Sequence, residues 1–234
     1  MIQLAPSKAK TINTIVVVRG DQIDIPARVV DFESFRRWLH SREFPEKAKI
    51  CYINDSIWVD LSTEEFFEHG QVRAEIGAVL HTLLKQSKFG RFAPEGTRYS
   101  HLETNLSTEP DGIVISNDAL ASGRVKFKSG EKGKNTEVVG SPEIVIEIVS
   151  RSSEVKDTEW AMASYFDAGI QEYWLIDARD EDDIQIDIFR RNKKEFLKSR
   201  KQNGWVKSVV LGKAFRLTQT GDAGGNPEFS LDVR

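Results

Sequence analysis

The sequence predicts an α/β protein, and the main reason lies between residues 141 and 177. Glu143–Val149 is a short β-branched run, Asp157–Ala168 has helical spacing, and Tyr173–Ile176 is a second apolar run. Gly169 stands where a glycine would end the helix. Two buried strands joined through a helix imply a parallel pair with a right-handed crossover. Short β-rich runs near both ends of the chain predict additional N- and C-terminal β-hairpins.

Length and composition limit the remaining possibilities. A chain of 234 residues with a net charge of −3 is long enough for one α/β domain, and it does not require a polyanionic partner. We expect a single domain over 1–234, with 1–30 as an N-terminal β-hairpin extension and 31–234 as the core. Cys51 is the single cysteine, which excludes an internal disulfide and a cysteine-based zinc site. The N-terminus lacks an apolar signal segment, so we expect a cytoplasmic protein without a membrane partner.

The first half of the chain reads as two hairpins, each followed by a helix. Thr11–Val18 and Ile23–Val30 predict the first hairpin, and Asp31 is a helix cap ahead of apolar residues at helical spacing. Ile50–Ile53 and Ile57–Leu61 predict the second hairpin. A long helix is then expected from Ser62 or Thr63 to Gln86, with an apolar stripe formed by Val72, Ile76, Val79, Leu80, Leu83 and Leu84.

The second half adds strands around the central unit. Gly90–Leu106 predicts two strands, and a further strand follows Asp111. The Gly-, Lys- and Ser-rich stretch Ser116–Gly140 predicts a short helical turn and a mobile loop. Alternating isoleucines from Ile184 to Ile188 indicate a half-exposed strand, and the tail contains three more β-rich runs, Trp205–Leu211, Phe215–Leu217 and Phe229–Val233.

Two acids stand where strands of the central sheet should meet. Asp111 follows Pro110 at the start of one strand, and Glu147 interrupts the β-branched run of another. A carboxylate on a strand covered on both faces is costly unless it is paired, hydrogen-bonded or bound to a cation. Asp111 and Glu147 could therefore hold a divalent ion such as magnesium. The alternative is that Glu143 and Glu147 line the wet side of a half-exposed strand, while Asp111 shapes a turn.

The central motifs resemble a known family. The combination of Pro110-Asp111 with the run 142–150, Asp157, Tyr165, Gly169 and the run 172–177 is similar to the Uma-two family of bacterial endonucleases, in the PD-(D/E)XK superfamily. The resemblance extends from Asp31 to the C-terminus. It implies a restriction-endonuclease-like mixed sheet flanked by helices, Mg²⁺-dependent hydrolysis of DNA phosphodiester bonds, and Mn²⁺ as a substitute ion. Asp111 and Glu147 occupy the family's two acidic positions.

The sequence departs from that family at the position of its lysine. Family members usually carry a lysine midway between the helix aspartate and the tyrosine, where this chain has Ala161. The superfamily's standard lysine position is Val149 here. Lys156 could reach inward as the catalytic lysine, but a solvated lysine at a helix start is the commoner case. Weak or absent cleavage is therefore expected, with Ala161→Lys raising the activity. A catalytically inactive module that binds nucleic acid or serves in assembly is the alternative function.

Two further residues and the partners complete the expectations. Glu75, on the long helix, is a candidate third metal ligand, as in some relatives, or a satisfied helix-face carboxylate. His69 fits the family pattern, and we expect it to pack against the helix rather than to act in catalysis. The resemblance implies DNA as a partner and a homodimer, and we expect no small-molecule cofactor.

Overall fold

The computed structural model describes residues 13–17, 24–45, 48–129 and 135–234. No helix in these ranges is both long and apolar enough to cross a membrane. The strands are β1 (Asn13–Val17), β2 (Lys49–Ile53), β3 (Ser56–Asp60), β4 (Gly90–Pro94), β5 (Arg98–His101), β6 (Leu106–Thr108), β7 (Gly112–Ser116), β8 (Val125–Ser129), β9 (Asn135–Gly140), β10 (Ile144–Ile148), β11 (Glu172–Asp177), β12 (Gln185–Arg191), β13 (Phe196–Lys198), β14 (Val206–Ser208), β15 (Lys213–Gly221) and β16 (Pro227–Val233). The α-helices are α1 (Phe32–Leu39), α2 (Val72–Ser87), α3 (Asn117–Ala121) and α4 (Met162–Asp167).

The described strands form three sheets. The first has the order β1-β3-β2-β6-β5-β9-β8, the second β13-β12-β11-β10-β7-β4, and the third β14-β15-β16. In the second sheet β10 and β11 are parallel, whereas the other neighbours are antiparallel. The predicted mixed sheet flanked by helices is therefore confirmed, and so are the C-terminal hairpins, β12-β13 and the β14-β15-β16 meander.

The helix between β10 and β11 begins with a π-helical turn, Lys156–Ala161, and continues as α4. Gly169 follows it with φ +81°, a left-handed conformation that glycine adopts without steric cost. A similar π-helical turn, Phe66–Gln71, precedes α2. Such turns re-aim side chains relative to a regular helix and are frequent at functional sites.

The two faces of β10 pack against different layers. Ile144, Ile146 and Ile148 belong to a core shared with α2 and the third sheet. Val145, on the opposite face, packs with residues of the first sheet and with Tyr165 of α4. Glu147 shares the face of Val145, so it lies between two packed layers and not on the wet side of a half-exposed strand.

The predicted start of α1 at Asp31 and the predicted β2-β3 hairpin are confirmed. Asp31 caps α1 in a capping box, with its carboxylate accepting from Ser34 N at 2.7 Å. The β2-β3 turn uses Asn54 and Asp55 at φ 52° and 53°, as a two-residue type I′ turn requires.

The predicted N-terminal hairpin is corrected by the structure. Residues 24–30 contain no strand, and β1 pairs in parallel with β3. The expected turn, 19–22, lies outside the described residues. β1 takes its hydrogen bonds from the edge of a sheet formed later in the chain, a partner that local β propensity cannot indicate.

Two other element predictions need correction. The stretch predicted as a mobile loop contains β8 and β9 after α3, because β9 pairs with the distant β5 as well as with β8; residues 130–134 lie outside the described ranges. The long helix begins at Phe66 and not at Ser62 or Thr63. Residues 61–65 are not helical, and Ser62 instead donates its hydroxyl and its backbone N–H to Asp60, at 2.6 and 2.8 Å.

Candidate active site

The two acids meet at the end of the β7-β10 pair. Gly112 stands opposite Ile146 in this antiparallel ladder, so one further step places Asp111 opposite Glu147 on the same face. Both residues are buried, with exposed fractions of 2% and 1%, and both line a cleft of about 600 Å³. The closeness of the Phe92 ring, 2.8 Å from where a side chain at position 112 would begin, explains the glycine that follows Asp111.

Asp111 is held as a charged carboxylate. Its Oδ2 accepts from Ile148 N at 2.7 Å and lies 3.5 Å from His69 Nε2, while Oδ1 lies 3.3 Å from Lys49 Nζ. Burial by itself would raise the pKa of Asp111, but Lys49 and His69 outweigh it and hold the pKa below its usual range. The pKa of His69 is correspondingly raised to about 9, against the opposing effect of burial.

Glu147 has the opposite character. Burial, reinforced by the neighbouring acids, raises its pKa to about 7, and Lys156 only partly offsets this. Tyr165 Oη donates to Oε1 at 2.6 Å, and Lys156 Nζ lies 3.5 Å from the same oxygen. The other oxygen, Oε2, is buried and has no hydrogen-bond partner among the described residues. A buried carboxylate oxygen without a hydrogen-bond partner is costly, and Glu147 lines the cleft, so a bound cation would offset this cost.

Lys156 points into this site, and its interpretation as a solvated lysine is wrong. It is 3% exposed and forms ion pairs with Glu147 and Asp157. Although burial favours the neutral amine, the two carboxylates raise the pKa of Lys156, which keeps it charged. In the sequence Lys156 stands only at a helix start; the structure places its ammonium in the cleft, beside Glu147.

The two positions expected to carry a lysine are apolar and buried. Ala161 packs with Val145 and Tyr165 in the core beneath the helix, and Val149 is buried just beyond β10. Asp157, Ala161 and Tyr165 are all buried, as expected for residues on one helix face. That face looks toward Glu147, because Tyr165 hydrogen-bonds to it.

A set of charged residues that no sequence pattern indicated encloses Asp111. Lys49 bridges Asp111 and Glu95, and Arg73 pairs with both Glu95 and Glu64. The ring closes through His69, whose Nδ1 lies 2.7 Å from Glu64 Oε1. His69 is thus an electrostatic partner of Asp111, not only a packing residue. Lys49 and Glu95 stand 62 and 16 positions before Asp111, so no local spacing connects them with it.

Glu75 is not part of this cluster. Its carboxylate accepts from Leu231 N of β16 at 2.9 Å, and it lines a second cavity together with Asp222 and Phe229. The expectation of a third metal ligand at Glu75 is therefore corrected. Its helix position directs the side chain toward the C-terminal sheet, as in the satisfied helix-face alternative.

The site suits a hard divalent cation bound by few protein ligands. Within the described ranges, no group of three or more His, Cys, Asp and Glu side chains has the spacing of a preformed metal site. Magnesium, however, is commonly held by one or two carboxylates and keeps several waters. Asp111 Oδ1 and Glu147 Oε2, which has no hydrogen-bond partner among the described residues, are two carboxylate oxygens of this kind, so these residues fit the magnesium ion that the sequence resemblance implies.

The fold and the cleft together define an α/β protein with a buried, charged site between mixed sheets. The model of the Uma2 family, described as "Putative restriction endonuclease", matches residues 32–219. The chain therefore belongs to the Uma2 family. Its fold is similar to that of a crystal structure described as a putative nuclease belonging to DUF820 from Anabaena variabilis, with a TM-score of 0.57 and 20% identity over 78% of this chain and 91% of that one. Among curated proteins, none matches this chain.

Proposed function

We propose that the protein is a Mg²⁺-dependent endonuclease that hydrolyses DNA phosphodiester bonds, with Mn²⁺ able to replace Mg²⁺. The observation that carries the proposal is the meeting of Asp111, Glu147 and Lys156 in one cleft, with Glu147 Oε2 left without a hydrogen-bond partner within the described ranges. Family membership and the nuclease-like fold support the same class of reaction.

Asp111 and Glu147 are the proposed ligands. A divalent ion held there would neutralise charge on the phosphodiester and favour attack by water. Asp111 is oriented for this by Ile148 N, and Glu147 by the Tyr165 hydroxyl. These contacts fix the carboxylates before substrate binds, which is the kind of preorganisation that catalysis requires.

Lys156 is the proposed catalytic lysine, in place of the family lysine whose position is occupied by Ala161 in this chain. Its ammonium lies beside Glu147 Oε1 and lines the cleft, where it can offset negative charge that develops on the phosphate. The expectation of weak cleavage rested on the absence of a lysine from the usual position. Lys156 lies five residues before Ala161 and lines the cleft, so we propose that it supplies the charge of that lysine and that the enzyme is active.

The cleft rim suits a phosphate backbone. The hydroxyls of Ser62, Ser150 and Ser152 lie there, and Arg151 is exposed beside them. Hydroxyls and arginine are common phosphate ligands in protein–DNA interfaces.

The test is nicking of supercoiled plasmid with Mg²⁺, Mn²⁺ or EDTA. Asp111→Asn, Glu147→Gln and Lys156→Met should each lower the rate by at least about 10²-fold, the usual cost of one preorganised transition-state contact. Glu75→Gln is the matched control, because it removes a carboxylate outside the cleft, and it should cut at the natural rate. Nicking that survives Asp111→Asn would contradict the proposal.

The inactive nucleic-acid-binding or assembly module remains the rival. It predicts salt-sensitive DNA binding, or none, with no cleavage in either metal. Absence of nicking by the purified protein on single-stranded, duplex and supercoiled DNA would favour this rival over the enzyme.

A further inference from the structure

Lys49 places an ammonium group between two acids of the cleft. Its Nζ lies 3.3 Å from Asp111 Oδ1 and 3.3 Å from Glu95 Oε1. Lys49 begins β2, which belongs to the first sheet, whereas Asp111 precedes a strand of the second. The fold thus brings this lysine across the interface of the two sheets to the acids.

The two oxygens of Asp111 are not equivalent. Oδ2 accepts from Ile148 N and faces His69 Nε2, so donors already surround it. Oδ1 contacts Lys49. A cation that binds Asp111 in the cleft must therefore take Oδ1, the oxygen that Lys49 holds.

We propose that Lys49 is the internal counter-ion of the cation position, and that a divalent ion must displace it from Asp111. This inference rests on the proposed function for the nature of the ion. Glu95 stays available to the displaced ammonium, because Arg73 holds Glu95 through its other oxygen. Lys49 then sets how tightly the site binds its ion, and it keeps the acids paired when no ion is bound.

Removing the charge of Lys49 should tighten ion binding. A charge within 4–6 Å typically shifts an ionisation equilibrium by one to three pKa units, so we expect Lys49→Met to raise Mn²⁺ affinity about tenfold or more. Methionine keeps most of the side-chain length, which limits other changes. Lys85→Met is the matched control, since Lys85 is an exposed lysine on α2. The Mn²⁺ affinity of this variant should stay within about twofold of that of the natural protein.

The experiment is calorimetric titration of Mn²⁺ into the full chain, previously freed of metal, for the natural protein, Lys49→Met, Lys85→Met and Asp111→Asn. The inference is supported if Lys49→Met binds Mn²⁺ more tightly than the other three proteins. The same holds if Lys49→Met is the one protein of the four that binds Mn²⁺ measurably. Unchanged or weaker binding by folded Lys49→Met overturns it while leaving the proposed function intact. Absence of binding by all four proteins overturns both.

A crystal structure of the natural protein with Mn²⁺ provides a second test that does not depend on any variant folding. The ion should contact Asp111 and Glu147, and Lys49 Nζ should lie beyond hydrogen-bonding distance of Asp111 Oδ1 while it keeps Glu95. An ion held by both acids with Lys49 still bonded to Oδ1 would overturn the inference.

Discussion

Replacing Lys156 by methionine tests whether its charge is part of the buried site. The side chain is 4% exposed and its Nζ lies 3.5 Å from Glu147 Oε1, with Asp157 as a second partner. At an effective dielectric constant of about 20, one pair at this distance is worth about 5 kcal/mol. Removing one partner of a buried ion pair usually costs about 3–5 kcal/mol, so we expect Lys156→Met to lower the free energy of unfolding by that amount near pH 8.

The size of this loss should depend on pH. The pKa of Glu147 is raised on folding to about 7. The stabilisation linked to its protonation is therefore fully present below the unfolded pKa and is lost as the pH rises through about 7. Near pH 5 Glu147 is already neutral in the folded natural protein, so Lys156→Met deprives only Asp157 of a charged partner. The loss should thus be smaller near pH 5 than near pH 8.

Urea unfolding in EDTA, at both pH values, measures this loss. Lys85→Met serves as the control, and a change at this exposed position should stay within about 0.5 kcal/mol. A loss below about 1 kcal/mol for Lys156→Met at both pH values, as for a surface ion pair, would refute the reasoning.

Three further predictions concern the core, acid stability and assembly. Ala161→Lys should not raise nicking in plasmid assays, because Lys156 already lies beside Glu147. It should instead lower the free energy of unfolding by about 1–3 kcal/mol in urea, because the larger side chain overpacks the core. Burial would raise the pKa of Glu137, but Arg36 outweighs it and holds the pKa low. The stabilisation that Glu137 contributes is present above its unfolded pKa and is lost as the pH falls through its folded pKa. Glu137→Gln should therefore make stability fall less steeply below about pH 4.5, as acid titrations followed by circular dichroism will show. We also predict a homodimer at micromolar concentration, since symmetric dimers are the commonest oligomers, and a monomer mass by light scattering would contradict this.

Local sequence signals determined the centre of the fold and the two acids. The β10-helix-β11 unit follows from β-branched runs and helical spacing, which depend only on neighbouring residues. Glu147 stood out because a carboxylate on a strand covered on both faces is costly unless it is paired or bound to a cation, and Asp111 because it opens a neighbouring strand. The same reasoning placed Asp31 at the start of α1 and a tight turn between β2 and β3.

Only the tertiary structure decided which other side chains reach those acids. Lys49 and Asp111 are 62 positions apart, and their contact exists because β2 and β7 belong to different sheets that pack together. Spacing along a helix indicates which face a residue lies on, but not which element covers that face. The sequence therefore could not indicate that Lys156 is buried in the site or that Glu75 contacts the C-terminal sheet. Pairing of β1 with β3 likewise depended on a sheet edge that forms elsewhere in the chain. Long-range contacts of this kind leave no periodic trace in the sequence, because they depend on how layers pack and not on any repeat along one strand or helix.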